Sequence, residues 1–166
     1  MVPERIRRRL AGTRGYTMTE LLVVIAVIAI IAAVSIPTLW TYYRSAALRS
    51  AAERTVSLLN NARQLAIRLN TTVCVTVDAT GIQYHQGTCG AAAYTGPGTD
   101  SAGYMKLDTG MTLSGTNNLC FSYLGSVPNP LPAGCNSTLA GTITVTRAQG
   151  GSMDVIIAST GRVRIQ

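Results

Sequence analysis

The sequence has few of the residues from which enzymes and metal sites are built. Only one of its 166 residues is a histidine, His85, and only 13% are charged. No cysteine pair has C-x-x-C spacing, and no serine has a G-x-S-x-G context. The Gly-rich segments at 96–98 and 150–151 lack the lysine and hydroxyl residue of a phosphate-binding loop. We therefore expect no enzyme, no metal and no cofactor, and we expect His85 to be a surface residue.

Positive charge is concentrated in part of the chain. The formal net charge is +7, and residues 1–15 contribute +4 of it, with five arginines against Glu4. Five more arginines lie between residues 44 and 68 against Glu53, whereas the region from residue 71 onward has four basic residues and four aspartates. Because that region is neutral, it is not expected to bind nucleic acid through bulk charge.

A long apolar run follows the basic N-terminus. Residues 21–36 read LLVVIAVIAIIAAVSI, in which Ser35 is the only polar residue. With Pro37 included, the run reaches the lower end of the roughly 17 to 25 residues that a membrane-spanning helix needs. A secretory signal peptide cut near residues 33–35, or a twin-arginine signal at residues 7–9, would share parts of this pattern.

Glu20, which directly precedes the apolar run, discriminates between these interpretations. A carboxylate at membrane depth costs about 2.5 to 3.5 kcal/mol, so one that is kept there normally has a partner. No lysine or arginine lies between Gly15 and Arg44. Cleavage after Gly15 would create a positive group, because the new amine of Tyr16 lies only four residues from Glu20.

This junction resembles that of the type IV pilin and pseudopilin family. Members have a short basic leader ending in glycine, a cut before an aromatic residue, glutamate at the fifth mature position and a long apolar helix. Gly15, Tyr16 and Glu20 match, although phenylalanine is commoner than tyrosine, and Pro37 lies where members commonly carry a helix-kinking proline. The resemblance implies that a prepilin peptidase removes residues 1–15 and N-methylates Tyr16. It also implies that Glu20 neutralises the N-terminal amine of a neighbouring subunit during assembly.

The resemblance implies an architecture and a location as well. The expected fold is α+β and type IV pilin-like, with a long N-terminal helix packed on an antiparallel β-sheet head. Residues 1–15 would be the cleaved leader, 16–40 the transmembrane and filament-core helix, 41–70 an amphipathic helix and 71–166 the head. The subunit would cross the bacterial inner membrane once, with its leader in the cytoplasm and its head in the periplasm. It would then join other pilins in a pilus or pseudopilus filament at the cell surface.

The hydrophobic pattern beyond the apolar run supports this architecture. Seven residues at alternating spacings of four and three form one face of a helix expected to pack on a sheet: Leu48, Ala52, Thr55, Leu59, Ala62, Ala66 and Leu69. From residue 71 the period becomes two, which predicts strands at 73–77, 82–85, 104–107, 119–124, 142–147, 153–158 and 162–165. Turn signals at 150–151 and 159–161 predict hairpins, and therefore an antiparallel sheet.

The four cysteines are expected to form disulfides, because the chain carries an export signal. Cys74 and Cys89 are fifteen residues apart, and so are Cys120 and Cys135. Each local pair would join a strand to the loop that follows it, so we favour these two pairs. The other two pairings remain open, since connectivity cannot be deduced from sequence.

The second half of the head resembles the GspH/FimT minor pseudopilins. The matching segments are LCFSYLG at 119–125, TITVTR at 142–147, the Gly-Gly turn at 150–151 and the terminal MDVIIASTGRVRIQ at 153–166. In FimT-type minor pilins a G-R-x-R motif near the C-terminus is associated with DNA binding during uptake for natural transformation. Residues 161–164 match that motif.

The motif predicts two arginines side by side. On a strand, Arg162 and Arg164 would face the same side, roughly 7 Å apart at 3.3 to 3.4 Å per residue, and both could donate to phosphate oxygens of double-stranded DNA without reading its sequence. Lys106 and Arg147 are candidate helpers, although Arg147 can contribute only if its strand lies beside the last strand. The alternative is a solvated strand face whose charges discourage strand addition.

The sequence is compatible with three functions. The first is a minor pilin near the tip of a type IV pilus, which binds DNA for uptake. The alternative is a minor GspH-like pseudopilin of a type II secretion system, whose head contacts secreted protein or fellow tip subunits. A membrane-anchored enzyme or receptor is disfavoured because the sequence lacks a convincing site.

Overall fold

One continuous helix dominates the N-terminal part of the chain. The computed structural model describes residues 15–136 and 140–166, so all but the last residue of the predicted leader lies outside the described residues. Helix α1 (Met18–Leu69) begins where the backbone N–H of Glu20 donates to the Thr17 hydroxyl at 3.2 Å, an N-cap. It ends at Asn70, whose positive φ of 49° is typical of a helix C-terminus.

The first half of α1 is apolar and exposed. Its most apolar 18-residue window has a mean hydropathy of 2.8, and none of that window is buried, so by length and composition the helix could cross a membrane. Ser35 donates its hydroxyl proton to the Ile31 carbonyl at 2.9 Å, which satisfies the only polar side chain of residues 21–36 within the helix itself. Pro37 lies inside α1, and a kink there stays a prediction.

Residues 44–166 form a compact unit that contains the hydrophobic core. Its strands are β1 (Val73–Asp78), β2 (Gly81–Gln86), β3 (Met105–Lys106), β4 (Met111–Gly115), β5 (Leu119–Phe121), β6 (Gly141–Arg147), β7 (Ser152–Ile157) and β8 (Val163–Ile165). They form two four-stranded antiparallel sheets, with orders β3-β2-β1-β5 and β4-β6-β7-β8, where the sequence predicted a single sheet. Strand β4 was not predicted from the sequence.

The second half of α1 buries one face in this core, as its spacing predicted. Leu59 and Ala62 are fully buried, together with Val75 of β1 and Val145 of β6. Leu69 is the exception: it lies at the last position of the helix and is 40% exposed. Further buried positions of the face are Leu48, Ala51, Ala52, Thr55, Leu65 and Ala66.

Two polar side chains join the elements around this core. The Tyr84 hydroxyl of β2 donates to the Leu58 carbonyl of α1, and burial raises the pKa of the Tyr84 phenol. His85 is buried, so the expectation of a surface residue was wrong. One ring nitrogen, Nδ1, lies 2.7 Å from the Ala91 carbonyl and must donate to it, while Nε2 lies 3.0 Å from the Thr76 hydroxyl. The ring therefore ties β1 and β2 to the following loop.

Candidate functional site

The terminal strand β8 and the residue before it present the two motif arginines on one surface. It is an edge strand that pairs only with β7, and Arg164 lies directly opposite Ile156 in that pairing. Arg162 and Arg164 are both exposed, and neither forms an ion pair with another described residue. Their side is the outer one, because the alternate β7 residues Val155 and Ile157 are buried in the core. Both guanidinium groups are thus available to an external anion.

A tight turn fixes the start of this strand. The N–H of Gly161 donates to the Ala158 carbonyl at 2.8 Å, and the N–H of Ala158 donates to the Arg162 carbonyl at 2.9 Å. A third bond, from the Val127 N–H to the Ser159 carbonyl at 3.1 Å, joins the turn to the loop after β5. Three backbone hydrogen bonds therefore hold the segment that presents Arg162.

Steric constraints explain why residue 161 of the G-R-x-R motif is a glycine. Gly161 has a φ of +78°, which disfavours any residue with a Cβ, and a Cβ there would overlap the carbonyl oxygen of Gly125. Gly125 closes the LCFSYLG segment, with its N–H donating to the Ser122 carbonyl at 2.8 Å. Two of the four segments that carry the subfamily resemblance, residues 119–125 and 153–166, are therefore packed against each other.

The two candidate helpers lie elsewhere. Strand β7 separates β6 from β8, and Arg147 shares the parity of the buried residues Ile143 and Val145, so it lies on the opposite face from the arginine pair. Its Nη1 nitrogen is buried. Lys106 is in the other sheet, where Nζ lies 2.9 Å from Asp100. The hydrogen bond from Lys106, together with one from the Tyr104 N–H, lowers the pKa of the Asp100 carboxyl.

The outer face of the second sheet is rich in hydroxyl groups. Residues of one parity along β4, β6 and β7 share the side of Arg162 and Arg164, and cross-strand pairing aligns them in rows. Asp154 is the one acidic residue among them, and it accepts a hydrogen bond from the Thr144 hydroxyl at 2.7 Å. The hydroxyl-bearing residues of this face are Thr112, Ser114, Thr142, Thr144, Thr146 and Ser152.

The cysteines form the two local pairs favoured from the sequence. Cys74 bonds to Cys89 and Cys120 bonds to Cys135. Cys74 and Cys120 are direct cross-strand neighbours on β1 and β5, which brings the sulfurs of Cys89 and Cys120 within 3.8 Å. Each bridge closes a loop of about fifteen residues, worth roughly 3 kcal/mol in the chain-entropy model. They fasten two long loops to one face of the first sheet.

The N-terminal motif residues lie at the exposed start of α1. Gly15 and Tyr16 precede the helix, and Glu20 is in its first turn, where a carboxylate interacts favourably with the helix dipole. The Glu20 side chain is exposed, and no residue in 15–136 or 140–166 forms an ion pair with it. The Glu20 carboxylate therefore lies exposed beside the apolar surface of α1.

Two family models match the chain. The first, type II transport protein GspH, covers residues 51–161, and the second, the prokaryotic N-terminal methylation motif, covers residues 10–36. No curated protein sequence matches. The GspH match spans most of the core and both disulfides, and it ends at Gly161, directly before Arg162 and strand β8.

Two solved structures share the fold. The type IV minor pilin FimU of Pseudomonas aeruginosa is 18% identical, with a TM-score of 0.53 over 75% of this chain and 92% of its own. The minor pseudopilin EpsH from the type 2 secretion system of Vibrio cholerae is 14% identical, with a TM-score of 0.51 over 72% and 95%. At such identities the likeness establishes the fold alone. The family models go further: this chain belongs to the GspH family and carries the prokaryotic N-terminal methylation motif.

Proposed function

We propose that this chain is a minor pilin of a type IV pilus, which lies near the filament tip and binds double-stranded DNA without sequence preference. The observation that carries the proposal is the pair Arg162 and Arg164, which is exposed at the start of an edge strand without an ion-pair partner among the described residues. Arginines of this kind donate to phosphate oxygens, which position DNA but do not read its bases.

The proposal includes the path of the subunit to the filament. A prepilin peptidase removes residues 1–15 and methylates the amine of Tyr16. Residues 16–40 then hold the subunit in the inner membrane until assembly with other pilins transfers this apolar segment into the filament core. The exposed apolar surface of α1 supports this step, because it needs either lipid or neighbouring helices to cover it.

The charge distribution sets the strength of binding. The region beyond residue 71 is neutral, and Asp154 shares the face of the arginines, so attraction comes from a local cluster. Because Lys106 and Arg147 lie elsewhere, the two arginines contact one or two phosphates, which gives a slope of about −1 to −2 in log K against log salt. Affinity is therefore low and falls as salt rises.

The test is a salt-dependent titration of residues 44–166 with two unrelated duplexes. The double variant Arg162→Gln/Arg164→Gln should lose most binding to both duplexes and flatten the salt slope by about one to two, with an unchanged melting temperature. The control Arg44→Gln/Arg68→Gln removes the same charge from α1 and should keep most of the binding. Unchanged binding in the first variant, or no binding by the wild type at low salt, would contradict the proposal.

The second candidate function is a minor pseudopilin of a type II secretion system. It is favoured by the description of the matched family and by the fold shared with EpsH. In that case the head contacts secreted protein or tip subunits instead of DNA. A deletion strain scored for twitching, transformation and protein secretion separates the two functions, since only secretion should fail if the chain is a pseudopilin.

A further inference from the structure

The arginine pair borders a recess that the motif alone does not predict. Arg162, Arg164, Thr160, Ile156 and Ala158 line a recess of about 290 Å³ on the outer side of β7 and β8. Sites for whole small molecules are usually about 300 to 1,000 Å³. The recess lies at the lower end of this range, which is enough room for one unit of a larger ligand.

Each arginine has a small or apolar neighbour beneath it. Ile156 lies directly opposite Arg164, and Ala158 is hydrogen-bonded to the backbone of Arg162. Both are partly buried, whereas Thr160 and the two arginines are exposed. The recess thus has an apolar floor and polar walls, and the single methyl group of Ala158 leaves space beside Arg162.

We propose that this recess binds one phosphodiester unit of a DNA strand. The guanidinium groups of Arg162 and Arg164 donate to the phosphate oxygens, the Thr160 hydroxyl supplies a further donor, and the deoxyribose lies against Ile156 and Ala158. This inference rests on the proposed DNA-binding function and adds a shaped subsite to it. Simple attraction between charges needs no such shape.

The recess is preorganised because its wall is part of the hydrogen-bonded turn. The backbone bonds of Ala158, Ser159 and Gly161 fix the segment that carries Thr160 before any ligand arrives. A site held in its bound shape loses less conformational entropy on binding than a flexible pair of side chains would. The apolar floor also keeps water from competing on one side of the phosphate.

A larger side chain at residue 158 tests the proposal, because it fills the recess and leaves every charge in place. In residues 44–166, Ala158→Leu should weaken binding of a 20-base-pair duplex at least tenfold. The control Thr112→Leu places the same side chain on the same sheet face at the opposite edge strand, and its affinity should match the wild type. Thr160→Val, at an exposed turn position, removes one neutral hydrogen bond and should cost about two- to tenfold. Melting curves verify that each variant is folded.

Competition experiments identify the chemical group that the recess binds. Inorganic phosphate should displace the duplex from the wild type more strongly than chloride at equal ionic strength, and this difference should vanish in Ala158→Leu. If the wild type binds DNA and both Ala158→Leu and Thr160→Val bind it equally well, the recess is not the site, although the proposed function stands. If the wild type binds no DNA, the proposed function and this inference both fall.

Discussion

Replacing Gly161 with alanine should destabilise the head by about 2 to 4 kcal/mol and lower its melting temperature by on the order of 10 °C. Two effects add. The φ of +78° places an alanine in a strained backbone region, and its Cβ would overlap the carbonyl oxygen of Gly125. Because the N–H groups of Gly161 and Gly125 each donate a backbone hydrogen bond, the two segments cannot separate without disturbing the turn before Arg162.

Gly150→Ala is the matched control for this prediction. Gly150 also has a positive φ, +94°, but no atom lies within 4 Å of the position that its Cβ would occupy. It should therefore show only the backbone strain, about 1 to 2 kcal/mol. Thermal melts of residues 44–166 measure the difference. Equal melting temperatures for the two variants would contradict the contact between Gly161 and Gly125.

Replacing Glu20 with alanine should reduce incorporation into filaments at least tenfold, with normal leader cleavage and a normally folded head. The carboxylate borders an apolar surface and has no ion-pair partner among the described residues. In the proposed assembly its partner is the Tyr16 amine of a neighbouring subunit. A tenfold loss corresponds to about 1.4 kcal/mol, which a charge pair shielded from water readily supplies.

The structure provides controls that separate this role from a local one. Because the N–H of Glu20 donates to the Thr17 hydroxyl, Glu20 also belongs to the first turn of α1, and its loss could weaken the helix start. Thr17→Ala removes the cap and keeps the carboxylate, so it should assemble nearly normally. Glu20→Gln keeps the shape and removes the charge, so it should fail like alanine. Immunoblots of sheared filaments against membranes quantify both, and normal assembly of Glu20→Gln would rule out the charge pairing.

The sequence predicted those parts of the fold that have a clear local period. The buried face of α1 repeats every three to four residues, and β1, β6 and β7 alternate strongly enough to be recognised. Strand β4 was missed because only Leu113 is fully buried in it and glycines at 110 and 115 indicate turns. The division into two sheets depends on which strands pair, which no local pattern encodes.

The site was predictable in its charges and not in its shape. Strand parity predicted that Arg162 and Arg164 share a face, and both line the recess on the outer side of β7 and β8. Whether Arg147 joins them depended on the strand order, which puts β7 between. The recess is lined by residues between 156 and 164, and its shape depends on how their side chains are placed. The contact between Gly161 and Gly125 arises where a terminal turn packs on a loop some 36 residues earlier in the chain. Contacts between residues so far apart in the chain produce no sequence pattern other than the glycines themselves.

The most direct test of the account is the intact mass and N-terminal sequence of the protein extracted from membranes. Cleavage after Gly15 removes the basic leader and frees the amine that Glu20 is proposed to neutralise. We expect a chain that starts at Tyr16 and carries one added methyl group. A chain that starts near Ile36 would mean that the apolar run is an ordinary signal peptide, and it would contradict the assignment of residues 16–40 as membrane anchor and filament core.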